Sequence, residues 1–330
     1  MKLELNLSGL VGNRRLIEIL RQGSMPQSAV FAGPDGVGKK TAALLLATLA
    51  NCHSPRDRDL CGSCPACIKA LSGNHPDISL VEPDGAYLKI EQMRTLSREA
   101  MYRPFEGNFK FFILDKAEKM TPEAANSLLK ILEEPPSTTH LALITSAPEQ
   151  LLPTIRSRCQ IFHFHPLSCN EIADYLRRNH FEGDLELRAG LSRGSLGTAI
   201  GLDLDQLLAD REQMWRILKE WLQVKKFTRI FQACEDRDLK GLLKQRETVR
   251  KYLEQLENLV YDLYFILTEM PDRVINRDIR DDLIGVAADT GLDQVRDLLE
   301  SLAEAKRDLS ANVNPLICFE TLWLDAGKIG

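Results

Sequence analysis

Little in this chain of 330 residues speaks for a membrane, a secretory route or an autonomous grip on nucleic acid. The start, MKLELNLSGL, has no charged segment leading into a long apolar one, so no secretion signal is expected. The longest apolar run near the front, Ala42 to Ala50, is interrupted by Thr48 and is too short to span a bilayer. A cytoplasmic location is the expectation. An excess of positive charge is also missing. Lys and Arg number 42 against 47 Asp and Glu, which leaves a net charge of −5 and a pI of about 5.8. Holding DNA by bulk charge needs a basic face instead. There is no internal repeat, no low-complexity segment, no Ser/His/Asp constellation and no acid pair in a hydrolytic context. The composition is that of a globular protein, 44% hydrophobic and 27% charged, which excludes a disordered, collagenous or disulfide-miniprotein chain. The length suits two or three domains.

Up to about Pro166 short β-rich runs alternate with amphipathic helices, the pattern of a parallel α/β sheet. The predicted strands are Ser28–Ala32, Ile78–Glu82, Lys110–Leu114, His140–Thr145 and Gln160–Phe164, the last closed by Pro166. After it nearly everything has helical period. Asn170–Asn179 and Leu185–Leu191 form a small helical segment ending in Arg193-Gly194-Ser195, and long amphipathic helices follow from about Asp203. One of them, roughly Leu239–Glu269, sets Leu253, Leu256, Val260, Leu263 and Leu267 on one face. The expected domains are therefore an α/β domain over 1–166, a small helical domain over 167–202 and an all-α domain over 203–330.

The segment from Ser28 to Thr41 runs strand, glycine-rich turn, helix. Within it Gly33-x4-Gly38-Lys39, with Gly36 inside the turn, matches a P-loop in the context that motif requires. Successive backbone N–H groups and a helix N-terminus make an anion cradle, and Lys39 would reach the β/γ-phosphates of ATP or ADP. The motif asks next for Ser or Thr to ligate Mg²⁺, and this chain has Lys40. Thr41 follows, about 100° further round the helix, and does not simply substitute. The strand Lys110–Leu114 leads into Asp115 at the carboxyl edge of the sheet, where a Walker B aspartate holds Mg²⁺. The next position, usually a Glu that polarises the attacking water, is Lys116. A cation cannot be that base, and Lys116 is placed to pair with Asp115 and take the metal's position. Nucleotide binding is expected and turnover is not; a glycine-rich turn without any ligand is the bland alternative.

The eight cysteines are unevenly placed. Cys52, Cys61, Cys64 and Cys67 crowd into sixteen residues, about 51–70 of the chain, and Cys159, Cys169, Cys234 and Cys318 are scattered, as buried small hydrophobes would be. Four clustered thiolates can close a tetrahedral structural zinc, with Gly62 and Pro65 supplying tight turns and His53 a bystander. Cys-x2-Cys-x2-Cys also opens iron–sulfur ligation, and four reduced thiols without metal are the remaining alternative. Other features have plain readings. His163 and His165 alternate with Phe162 and Phe164 as strand packing or surface, and Trp215, Trp221 and the leucine stripe read as core or subunit interface. Arg14, Arg15 and Arg21 read as a solvated basic helix edge, with contact to a nucleotide or an acidic partner as the alternative.

Asn126-Ser-Leu-Leu-Lys130-Ile-Leu-Glu-Glu-Pro-Pro136, following Asp115-Lys-Ala-Glu118-Lys-Met-Thr, resembles the clamp-loader branch of the AAA+ ATPases in bacterial DNA polymerase III. The likeness runs from Leu10-Val-Gly-Asn13 through Ile90-Glu-Gln-Met-Arg94 to Asn312-Val-Asn314, and it includes Ser157-Arg158-Cys159 and the four-cysteine insert. It implies a RecA-like AAA+ sheet with a zinc module, a helical lid and an all-α oligomerisation collar. It also implies a hetero-pentameric ring with gamma/tau and delta subunits, in which a non-polymerising subunit of the polymerase holoenzyme helps to open the sliding clamp and place it on primer-template DNA. Zinc becomes the expected metal. Arg158 becomes the expected arginine finger for a neighbour's ATP, with Arg156 its close competitor. Active members of the branch carry an Arg after Gly-Ser-Leu in the lid, where this chain has Gly197 after Gly194-Ser195-Leu196; Thr145 or Ser146 marks the sensor 1 region. An active gamma/tau-type motor is the alternative, opposed by Lys40, Lys116 and Gly197. A zinc-dependent nucleic-acid-binding protein is a third reading, opposed by the acidic pI.

Overall fold

The structure, a computed structural model, describes residues 7–22, 25–224 and 241–326. These form two compact units. The first runs to Gly183 and takes in Ser192–Ile200; the second comprises Asp184–Leu191 and the chain from Gly201 onward.

The first unit is built on a five-stranded parallel sheet: β1 (Ser28–Ala32), β2 (Ile78–Val81), β3 (Lys110–Leu114), β4 (Thr139–Thr145) and β5 (Gln160–His163), in the order β2-β3-β4-β1-β5. All five expected strands are present, within a residue of their predicted ends. Alternation sorts their side chains into two cores. Ala29 and Phe31 of β1, with Ile113, Ala142 and Ile144, pack under α1 (Arg14–Gln22) and α2 (Lys39–Ala50). Val30 and Ala32, with Phe112, Leu114, Leu141 and Leu143, pack under α4 (Ile90–Ala100) and α5 (Pro122–Glu133) on the opposite face. Helices on both faces explain why β1 and β4 are buried from end to end and read as continuous apolar runs. Between α2 and β2 lies the cysteine insert with its short helix α3 (Pro65–Leu71). The unit also holds α6 (Pro153–Arg156), α7 (Cys169–Arg178) and α9 (Leu196–Gly201, up to Ile200). Ser168 begins α7 with a reciprocal cap: its hydroxyl accepts from the Glu171 amide, and the Glu171 carboxylate accepts from the Ser168 amide.

The topology places the site. After β1 the chain departs to the far edge at β2 and returns through β3 and β4 before crossing to β5, so the carboxyl end of β1 is a switch point where such sheets bind ligands.

The second unit is helical, as expected: α8 (Leu185–Leu191), α10 (Leu204–Val224), α11 (Arg246–Leu267), α12 (Arg280–Ala288), α13 (Leu292–Ser310) and α14 (Pro315–Asp325). Trp215, Trp221, Tyr252, Phe319 and Trp323 lie in its core beside Leu253, Leu256, Val260 and Leu263, so the tryptophans are core residues. The helix read as Leu239–Glu269 is shorter than predicted. Gln245 is extended and α11 begins at Arg246, while Leu239 and Lys240 lie outside the described residues. At the other end Thr268 caps the helix and Glu269 turns to φ 58°.

Candidate functional site

Gly33 to Gly38 turn the chain from β1 into α2 at the carboxyl edge of the sheet. Gly38 precedes the helix at φ 95°, a left-handed conformation that side chains avoid, and no side chain caps the first turn. The first amides of α2 are therefore free to face an anion. Lys39 is almost wholly buried, and its ammonium donates to the Gly33 and Pro34 carbonyls, the latter at 2.6 Å, with Asp35 at 3.8 Å. Burial pulls its pKa below the usual lysine range, against the pull of Asp35, Glu118 and Asp115. Two of its three protons hold the loop in shape, and the third faces the exposed Asp35 carboxylate.

The cleft over this loop has a volume of 1010 Å³. Lys39, Lys40, Thr41 and Asp115 line its polar part, Leu10, Val11 and Ile200 its apolar part, and Tyr175 and Arg178 of α7 also border it. Those last two carry no motif and were missed in the sequence. An uncapped helix N-terminus, a buried lysine at its first position and an adjoining apolar wall fit a nucleotide.

The metal position does not fit Mg²⁺. Lys40 Nζ donates to Asp115 Oδ2 at 3.1 Å and to Glu82 Oε1 at 2.5 Å. Burial alone would lower the Lys40 pKa, but these two carboxylates outweigh it and raise it. The expectation that Lys116 pairs with Asp115 is corrected: Lys116 is exposed at φ 54°, and only its backbone amide donates to Asp115 Oδ1, at 3.1 Å. The left-handed turn carries the Lys116 side chain away, and the cation over Asp115 comes from α2. Glu82 was also missed as a partner, although an acid just past β2 parallels Asp115 just past β3. Of the sensor 1 candidates, Thr145 is buried and its hydroxyl accepts from the Ala147 amide, while Ser146 donates to Glu118 Oε1 at 3.4 Å.

Gly197 lies directly on the loop. Its amide donates to the Gly36 carbonyl at 3.0 Å, and a Cβ there would stand 3.1 Å from the Gly36 Cα. Gly36 itself has φ 73°, and a Cβ on it would overlap the Ser195 hydroxyl. Glycine at both positions lets the two backbones meet with no Cβ between them.

In the insert, the sulfurs of Cys52, Cys61, Cys64 and Cys67 all lie within 4.8 Å of one another. Cys61 and Cys67 are 3.9 Å apart; a tetrahedral zinc with bonds of about 2.3 Å sets its sulfurs roughly 3.8 Å apart. The amides of Cys61, Cys64 and Cys67 donate to the sulfurs of Cys52, Cys61 and Cys64 respectively, so the backbone favours thiolates. Amides of Ser63 and Cys64 bring the Cys61 thiol down to about 6. The donor set fits zinc. Arg21 ties α1 to this insert by donating to the Asp57 and Arg58 carbonyls at 2.7 and 3.1 Å, so it is not a solvated residue. Of the scattered cysteines, Cys318 is buried and Cys159 partly so, but Cys169 is exposed at the start of α7; Cys234 lies outside the described residues. His163 and His165 are exposed and alternate with buried Phe162 and Phe164.

Arg158 belongs to another edge of the sheet. Gln160 stands level with Ala29, so Arg158 precedes the amino end of β5, whereas the P-loop follows the carboxyl end of β1. Five residues of strand separate the two edges by roughly 16 Å. The guanidinium is about one-third exposed, donates to Glu133 Oε1 (Nε at 2.8 Å) and to the Thr154 carbonyl (2.9 Å), and does not reach its own chain's cleft.

Strand order, P-loop sequence and thiolate insert together define an AAA+-type α/β domain followed by a helical unit. Comparison with known proteins narrows this. Residues 12–168 match the family described as DNA polymerase III, delta subunit. The delta-prime subunit of DNA polymerase III from Bacillus subtilis is 31% identical over 299 residues, covering 91% of this chain and 90% of that protein. The delta-prime subunit from Pseudomonas aeruginosa is 41% identical over 129 residues, 38% of this chain and 39% of its own. The tau subunit of Escherichia coli is 35% identical over 198 residues, 58% of this chain but only 30% of tau. The chain belongs to the delta-prime family of DNA polymerase III subunits.

Proposed function

We propose that this chain is the delta-prime member of a clamp loader, joined with gamma/tau and delta subunits in a five-membered ring that opens a sliding clamp and sets it on primed DNA. In this reading 167–202 act as the lid and 203–330 as the collar. The cleft retains ATP or ADP without turning it over, zinc staples the insert, and Arg158 reaches a neighbouring subunit's nucleotide. The observation that carries it is the contrast between the two sheet edges. At the cleft edge the groups that would support hydrolysis are replaced by Lys40, Lys116 and Gly197; at the other edge a part-exposed guanidinium is held by an exposed ion pair to Glu133 and by hydrogen bonds to the Thr154 carbonyl and the Ser157 hydroxyl. Such pairs are worth about 0–1 kcal/mol, so exchanging Glu133 for a phosphate is cheap, and a guanidinium brought to a γ-phosphate can raise turnover ~10³–10⁵-fold.

The test is reconstitution with gamma/tau and delta subunits. Arg158→Ala should leave folding, zinc content and assembly intact and lower DNA-stimulated ATP hydrolysis and clamp loading, partially, because other sites in the ring keep their own fingers. Arg158→Lys should rescue poorly, since it keeps the charge and loses the planar fork. Wild-type loading by Arg158→Ala with failure of Arg156→Ala would move the role to Arg156.

A further inference from the structure

We propose that the cleft takes a nucleoside di- or triphosphate without a divalent metal, with the Lys40 ammonium serving as the resident cation. The proposal rests on the reading of the cleft as a nucleotide site and goes beyond it.

Lys40 follows the phosphate-reaching lysine directly, where a metal-ligating hydroxyl would stand, so it leaves α2 in the first turn beside the P-loop amides. Its Nζ bridges two carboxylates that end adjacent strands, Glu82 just past β2 and Asp115 just past β3, at 2.5 and 3.1 Å. Asp115 is the acid that would otherwise hold the metal, and its side chain is only 19% exposed, so one of its oxygens is committed to the ammonium and the other accepts from the Lys116 amide. Mg²⁺ requires near-octahedral oxygen ligation at about 2.0–2.1 Å. It would have to expel the ammonium from Asp115 and then endure it as a like charge in the same pocket. An ammonium is a compact charge with three rotatable donors; two face Glu82 and Asp115, and the third is available to a phosphate oxygen at the P-loop. Thr41 also lines the cleft but has no bond to Asp115. The arrangement supplies positive charge to phosphates and lacks the ligands that would hold a metal.

Fluorescent N-methylanthraniloyl-ADP titrated into the full chain, in excess EDTA and in excess magnesium, tests this. The two dissociation constants should agree within about threefold. Lys40→Thr should weaken binding in EDTA about tenfold or more and recover with magnesium. Electron paramagnetic resonance with Mn²⁺ and ADP gives a second readout: no protein-bound Mn²⁺ in the wild type, a bound signal in Lys40→Thr. Circular dichroism confirms that the variant folds, and Lys40→Arg, which keeps the charge, should stay metal-independent. Binding that requires magnesium in the wild type overturns the proposal and leaves the nucleotide reading standing. Absence of saturable binding in both conditions overturns both.

Discussion

Asp59 lies in the cysteine insert and fastens the start of the described chain to it. Its carboxylate accepts from the Leu7 and Ser8 amides, the Ser8 hydroxyl and the Leu60 amide. Burial opposes its ionisation, but the four donors outweigh it and hold its pKa below 3.8. A depressed carboxylate pKa contributes stability above the unfolded-state value and loses it as pH falls through the folded one. Asp59→Asn should therefore cost about 1–3 kcal/mol at neutral pH, and the deficit should shrink below about pH 4. Urea denaturation of both proteins at pH 7 and in acid measures it; a deficit unchanged in acid would remove the carboxylate from the explanation. Lys40 marks how far single residues could be read in the sequence. Its mismatch with the motif was visible, but its partners sit 42 and 75 residues away, and only the adjacency of β2 and β3 brings them together. The choice of Lys116 over Lys40 as the partner of Asp115 failed for a local reason, a left-handed backbone that no residue type announces.

Elements were more legible than contacts between them. β1 and β3 fall on their predicted residues because strands covered on both faces are continuous apolar runs bounded by polar or turn residues. The start of α11 was misjudged because Leu242 and Leu243 continue the leucine spacing while the backbone breaks at Gln245. The thiolate insert was readable from spacing alone, since close cysteines in a short loop have few other geometries. We expect about one zinc per chain by elemental analysis of protein purified without added metal. Cys64→Ser should loosen the insert more than the sheet, because Cys64 is both a sulfur donor and the N-cap of α3; hydrogen exchange would locate the loss. A brown sample with visible charge-transfer bands would point to iron–sulfur instead. The contact of α9 with the P-loop makes a different prediction. Gly197→Ala presses a methyl group onto the Gly36 backbone and should destabilise the first unit by about 1–3 kcal/mol, read from its thermal unfolding.

At the scale of the whole chain, the isolated protein should hydrolyse ATP no faster than background, and turnover on the order of one per second would contradict this. Its two units have separate cores. Calorimetry after chelation should thus lower the transition of the α/β unit, which carries the cysteines, and leave that of the helical unit in place. The backbone contact between Gly36 and Gly197 also bears on turnover. On the function proposed above, turnover would need a hydroxyl at 40, an acid at 116 and an arginine at 197. The last of these changes sets a Cβ 3.1 Å from the Gly36 Cα, so the loop must shift by a few tenths of an ångström to admit it. The side chain at 197 and the shape of the loop at 36 are therefore coupled, and substitutions at the two positions should not be additive.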